Sequence, residues 1–174
     1  LIKMYLSKEI IKSLKEKLKK LNKLRPIPKT SLAKLREQFQ LEMTYNSNAI
    51  EGNSLTMKET FWVINEGITF KNKPLKDHLE AKDHQVALEF LYELIDHKRS
   101  VTFSEHLIKQ LHQLIMMRVD KEIAGRYRTG DVMIIGTDHV PPQGFEVPNK
   151  MNGLINWLAN NKKTHHIVEL AAVL

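Results

Sequence analysis

The chain has no cysteine, few aromatic residues and no long apolar run, and each shortage removes a class of function. Without cysteine there is no disulfide framework, no thiolate nucleophile and no zinc–thiolate site. Nothing approaches the roughly 18–20 consecutive apolar residues of a membrane-spanning helix, and no secretory leader pattern opens the sequence. The expected compartment is a reducing cytoplasm, with no membrane partner. The phosphate-cradling patterns G-x-x-x-x-G-K-[ST] and G-x-G-x-x-G are missing, as is the G-x-S-x-G elbow of serine hydrolases. Glycine and proline are scarce, at seven and six, and they are unevenly placed: residues 124–149 hold four of the glycines and three of the prolines.

What is present is an ordinary globular composition, 42% hydrophobic and 27% charged over 174 residues, enough for one domain with a real core. The net charge of +7 is lopsided. Residues 1–40 carry twelve Lys or Arg against Glu9, Glu16 and Glu37, so the remainder is slightly acidic. Such a basic arm suits nucleic acid or an acidic partner, although a solvated lysine-rich helix face is the plainer reading. Few arginines and no interleaved aromatics speak against direct reading of bases.

Apolar spacing predicts an all-α chain. Ile10, Ile11, Leu14, Leu18 and Leu21 form one stripe, and Arg25-Pro26-Ile27-Pro28 ends that helix. A second helix runs from about Ser31 to Ile50, with Leu32, Leu35, Phe39 and Met43 inward and Gly52 stopping it. Capping-box spacings at Thr56–Glu59 and Thr102–Glu105 open further helices, to about Asn65 and Val119, and a long one covers about Leu75–Asp96. A last pair spans about Val147–Asn160 and His166 onward. Between them Val132-Met133-Ile134-Ile135 is the single β-like run, closed by Gly136 and Pro141-Pro142, and reads as a short β-hairpin or extended loop. Leu1 opens the chain in place of methionine, and HIVELAAVL stops without a cap, so the sequence reads as a fragment.

Eight histidines invite a metal site. The pairs His78/His84 and His106/His112 lie six apart, on opposite sides of a helix, and no H-E-x-x-H occurs. Surface or cap histidines are the expectation, with no metal ligands in this chain.

Three stretches, in order, resemble the Fic family of nucleotide-transferring enzymes. Ser47-Asn48-Ala49-Ile50-Glu51-Gly52 is similar to that family's inhibitory pattern of Ser or Thr, three residues, Glu, then Gly or Asn. Gly125-Arg126-Tyr127-Arg128, then Val132 and Ile134-Ile135-Gly136, resembles the lead into its target-binding flap, Thr137-Asp138-His139-Val140-Pro141-Pro142. His166-Ile167-Val168-Glu169-Leu170-Ala171-Ala172 resembles the helix before its active site. The family's next motif, H-x-F-x-[DE]-G-N-G-R-x-x-R, with its base, metal-holding acid and arginines, is not among these residues.

The resemblance implies a Fic-like helical bundle with a β-hairpin flap at about 132–144. Residues 1–55 would be the regulatory helices and 56–174 the N-terminal part of the core. It implies transfer of AMP from ATP, with Mg²⁺, to a Ser, Thr or Tyr hydroxyl of a target protein. Ser47, Glu51 and Gly52 would form a brake, the Glu51 carboxylate pairing with the arginine meant for the γ-phosphate. Glu51, Ile135, Gly136, Thr137 and Asp138 would lie near ATP, and Thr137, Asp138, His139 and Val140 would dock the target as an added strand. Tyr127 and Arg128 would tie the loop to the helical core. This chain alone would be inactive. A nucleic-acid-associated regulatory module built on residues 1–40 and a non-catalytic interaction protein are the alternatives, and a homo-oligomer is compatible with either.

Overall fold

The computed structural model describes residues 6–97 and 102–173. They form seven α-helices: α1 (Lys8–Lys23), α2 (Lys29–Ile50), α3 (Met57–Glu66), α4 (Leu75–Asp96), α5 (Glu105–Met116), α6 (Val147–Asn161) and α7 (Ile167–Val173), with one 3₁₀ turn at Gly144–Glu146. The all-α expectation holds, and most boundaries fall where caps were read. Ser7 caps α1 by accepting the Ile10 amide. Thr56 and Glu59 form the expected reciprocal box on α3, and Gly67 ends it in the left-handed conformation.

The second capping box does not form. Ser104, not Thr102, is the N-cap of α5, accepting the Leu107 amide at 3.2 Å. Its extended backbone stands directly before the first helical residue, which leaves Thr102 outside the turn.

The core lies where α2, α3 and α4 meet. Leu55, Val63, Ile64 and Ala81 are buried together, with Leu41 and Phe70 packed against them. Helix α5 packs along α4, and α6 touches α5. Helix α1 contributes no buried residue.

Two expectations are corrected here. The apolar stripe of α2 does not face inward: Leu32, Leu35, Phe39 and Met43 are each 38–52% exposed. Instead α2 turns a polar side to α4. Arg36 makes a two-pronged bond to Asp96 at 2.6 and 2.7 Å, Gln40 donates to Glu89 at 3.2 Å, and Thr44 meets His84 at 3.0 Å. Thr44 is fully buried, so its rung to His84 satisfies a hydroxyl that the opposite orientation would leave without a partner.

The histidines are also more internal than expected. His78 is buried, accepting the Phe70 amide at Nε2 and lying 2.8 Å from the Pro74 carbonyl at Nδ1. His112 accepts the Gly125 amide at 3.0 Å. The His78 ring is a connector, joining two backbone groups near the start of α4, and His112 ties the Gly125 turn to α5.

The Arg118 guanidinium bonds the buried Asp83 carboxylate through two N–H groups, which holds Arg118 above its ordinary range. Arg118→Ala strands a buried carboxylate, and urea unfolding is expected to show a loss of about 2 kcal/mol. His84 titrates too: burial lowers its pKa below the ordinary histidine value. The unfolded chain therefore binds its proton first. His84 supports the fold fully above the unfolded histidine value, and that support falls away as pH drops through the lower folded value. The urea midpoint of His84→Gln should decline less between neutral pH and about pH 5 than that of the parent protein.

Candidate functional site at the α2 terminus and the 131–143 loop

Helix α2 ends in a Schellman motif. The Asn53 amide reaches back to the Asn48 carbonyl at 3.0 Å and the Gly52 amide to Ala49 at 3.1 Å, with Gly52 at φ +87°. That geometry needs a residue free to adopt positive φ at position 52, which glycine supplies. Glu51 is the cap residue itself. Its side chain is exposed and bonds no described residue. Ile50 is 83% exposed, and Ser47, one turn earlier, is half-buried.

The chain beyond Gly52 is pinned to the start of α4. The Asn53 side-chain amide donates to the Asp77 carbonyl and to Glu80, both at 3.0 Å. Asp77, buried, accepts from the Ser54 amide at 2.7 Å and the Ser54 hydroxyl at 2.5 Å. Lys73 caps the Ser54 carbonyl and approaches Glu59 at 3.5 Å. Glu51 therefore sits on a turn fixed on both sides. Sequence reasoning missed Thr44, His84, Asn53 and Asp77. The signal available was slight: an acid in the first turn of a helix after proline, and an N-S pair after a helix-stopping glycine.

The second group is the loop after α5. Gly125 adopts φ +70°, and a Cβ there would stand 3.1 Å from the Lys109 carbonyl oxygen and from the Gln113 side chain. The Tyr127 ring lies 4.2 Å beneath the Lys109 ammonium, which pairs with Glu105 at 2.9 Å. Burial, and then the nearby Glu105 carboxylate, raise the Tyr127 phenol. Arg128 closes the loop base by donating to the Gly130 carbonyl at 2.8 Å and to the Pro142 carbonyl. Asp131 accepts the Gly144 amide at 2.8 Å, and the Glu146 carboxylate accepts the Gln143 amide at 2.9 Å at the start of the 3₁₀ turn. Gly144 is obligatory there, since a Cβ would stand 2.1 Å from the Thr129 carbonyl oxygen.

Between these clasps the expected β-hairpin is not formed. Residues 132–140 include no strand, and Val132–Ile135 do not pair with any described segment. The loop is a closed neck with an exposed apolar rim: Met133 and Val140 are 85% exposed and Ile135 is 96%. Gly136 turns at φ +83°, and the Thr137 hydroxyl accepts the His139 amide at 3.1 Å. Asp138 and His139 are exposed. Among the described residues no hydrogen bond or ion pair joins this loop to the α2 terminus. No group of three or more His, Asp and Glu side chains among the described residues gathers to hold a metal ion, and no helix among them is long and apolar enough to cross a membrane.

Residues 102–174 match the Fic/DOC family. The chain is 30% identical over 158 residues to the protein adenylyltransferase Fic of Nematostella vectensis, covering 88% of this chain and 36% of that protein. It is 25% identical over 145 residues to the Drosophila virilis protein adenylyltransferase Fic, covering 83% and 29%. A Fic-domain-containing signaling protein of known structure from Bacteroides thetaiotaomicron superposes with a TM-score of 0.79 at 31% identity, over 91% of this chain and 60% of that one. This chain belongs to the Fic/DOC family, and it spans about a third of the length of the curated relatives it matches.

Gly144→Ala should open the neck of the loop. Limited proteolysis followed by mass spectrometry is expected to show faster cleavage within 131–143 than in the parent, with the helices still protected.

Proposed function

We propose that the whole protein is a protein adenylyltransferase, moving AMP from ATP to a hydroxyl side chain of a target protein, and that the α2 terminus restrains it. The reading rests on the family match together with one observation: Glu51 stands exposed and without a described partner on a turn fixed by the Schellman bonds and Asp77. A carboxylate held out in this way is suited to a two-pronged pair with an arginine. The arginine belongs to the motif that resemblance puts after α7, outside these residues. By taking the γ-phosphate's place, Glu51 would leave ATP bound weakly or out of line with the attacking hydroxyl. Ser47, on the preceding turn, would support the same face.

Residues 1–55 act as the regulatory part in this proposal, and 56–174 as the N-terminal part of the transferase core. Mg²⁺ bound with ATP would neutralise phosphate charge, and the acid of the motif that resemblance puts after α7 would hold it. Ile135, Gly136, Thr137 and Asp138 would face the nucleotide. Thr137, Asp138, His139 and Val140 would meet the target, whose extended segment could pair with free backbone in this loop. The exposed Ile135 and Val140 supply apolar contact, and the Arg128 clasp limits the ordering cost of that contact. The predicted hairpin would then form only against a partner strand.

Glu51→Gly in the full-length protein should raise self-modification with labelled ATP at least tenfold, because one carboxylate–guanidinium pair is worth about 1.5–3 kcal/mol. An unchanged signal would remove the brake while leaving the transferase assignment standing.

A further inference from the structure

The sequence showed a lysine-rich first helix; the fold shows how those lysines are arranged and what faces them. Lys8, Lys12, Lys15, Lys19 and Lys23 follow one another at spacings of four, three, four and four, so they fall on a single edge of α1. All five are exposed, and none pairs with a carboxylate among the described residues. At about 1.5 Å rise per residue the ridge runs roughly 22 Å. Ile10, Leu14 and Leu21 take the opposite side of the helix.

The ridge does not stand alone. The α6–α7 turn approaches α1, and Lys15 and Ile11 share a groove of about 460 Å³ with Lys163, Thr164, His165 and His166. Glu169 at its floor is buried and already engaged within the protein. Glu9 and Glu16, the acids of α1, lie to one side of the ridge.

We propose that this ridge and groove bind the phosphate backbone of a nucleic acid, without reading bases. Ammonium groups placed every turn along a line match a chain of regularly spaced phosphates. Lysine, as a point charge on a flexible stem, suits such contacts, whereas base recognition favours the arginine fork that α1 does not contain. The concave groove between two elements favours a phosphate strand over a flat lipid surface. A helix lying in a bilayer interface would bury the Ile10–Leu14–Leu21 side and carry the ridge away from the headgroups. This surface is independent of the transferase reading.

The test is fluorescence anisotropy of the full chain with a short random-sequence DNA duplex between 50 and 200 mM salt. The expected slope of log affinity against log salt is about −4 to −5, from five phosphate contacts. The triple variant Lys12→Gln, Lys15→Gln and Lys19→Gln should lose about three from the magnitude of that slope and bind at least tenfold more weakly at 50 mM salt. Its circular-dichroism melt should match the parent, since glutamine is nearly as good a helix former. Lys58→Gln with Lys71→Gln, exposed lysines elsewhere, should leave the slope alone. No binding at 50 mM salt, or an unaltered slope in the folded triple variant, would overturn the proposal. So would binding to phosphatidylserine vesicles with none to the duplex, which would assign the ridge to a membrane surface.

Discussion

The seam between α2 and α4 is the constraint on which the arrangement depends. Arg36 to Asp96, Gln40 to Glu89, Thr44 to His84, and Asn53 to Glu80 and the Asp77 carbonyl are four rungs between antiparallel segments. The outer rungs are exposed and individually weak. The inner ones lie beside the buried core, where an unpaired hydroxyl, imidazole or carboxylate costs more than the bond itself supplies. Register follows from this asymmetry. Sliding α2 by one turn would separate Thr44 from His84 and Ser54 from Asp77 together.

That seam also explains why α2 leaves its apolar stripe uncovered. A helix has a limited circumference, and the side spent on α4 is polar. Leu32, Leu35, Phe39, Met43 and Ile50 are consequently turned toward solvent among the described residues. Periodicity recorded faithfully that α2 has an apolar face, and it placed the helix within two residues. It could not say which element covers that face, because the polar rungs that decide the matter join residues forty to sixty positions apart. The same blindness hid the roles of His78, which is buried, and of His112, which is half-buried, since their partners are backbone groups rather than other sequence signals.

The loop shows the opposite balance. Its clasps were partly legible: Arg128 was read as a tether, and the Gly and Pro punctuation marked the irregular segment. The run at 132–135 reads as either a hairpin or an extended loop, and among the described residues it stands as a loop, because β-branched composition reports a surface suited to pairing, not the presence of a partner. With Arg128 and Asp131 closing the neck, those residues remain exposed and unpaired among the described residues, and on the proposed reading their backbone groups are kept for another chain at small further cost in entropy. The family resemblance, in turn, rested on short patterns that spacing alone did not explain. The structure supplies a physical reason for two of them: Gly52 needs positive φ, and Gly125 needs both positive φ and close approach.

On the proposed reading, the stiffness of the α2 terminus has a consequence for how a brake of this kind works. A carboxylate on a mobile tail would lose conformational entropy each time it engaged, and nucleotide would displace it readily. Glu51 is held by backbone bonds on one side and by Asn53, Ser54 and Asp77 on the other, so most of that cost is met in folding. Local loosening of Glu51 alone would then be difficult. Apart from rotation of the Glu51 side chain itself, release would go with a shift of α2 against α4, whose weakest rung is the exposed Arg36–Asp96 pair. Regulation would therefore act most economically on the Arg36–Asp96 end of the seam, far from the carboxylate it controls.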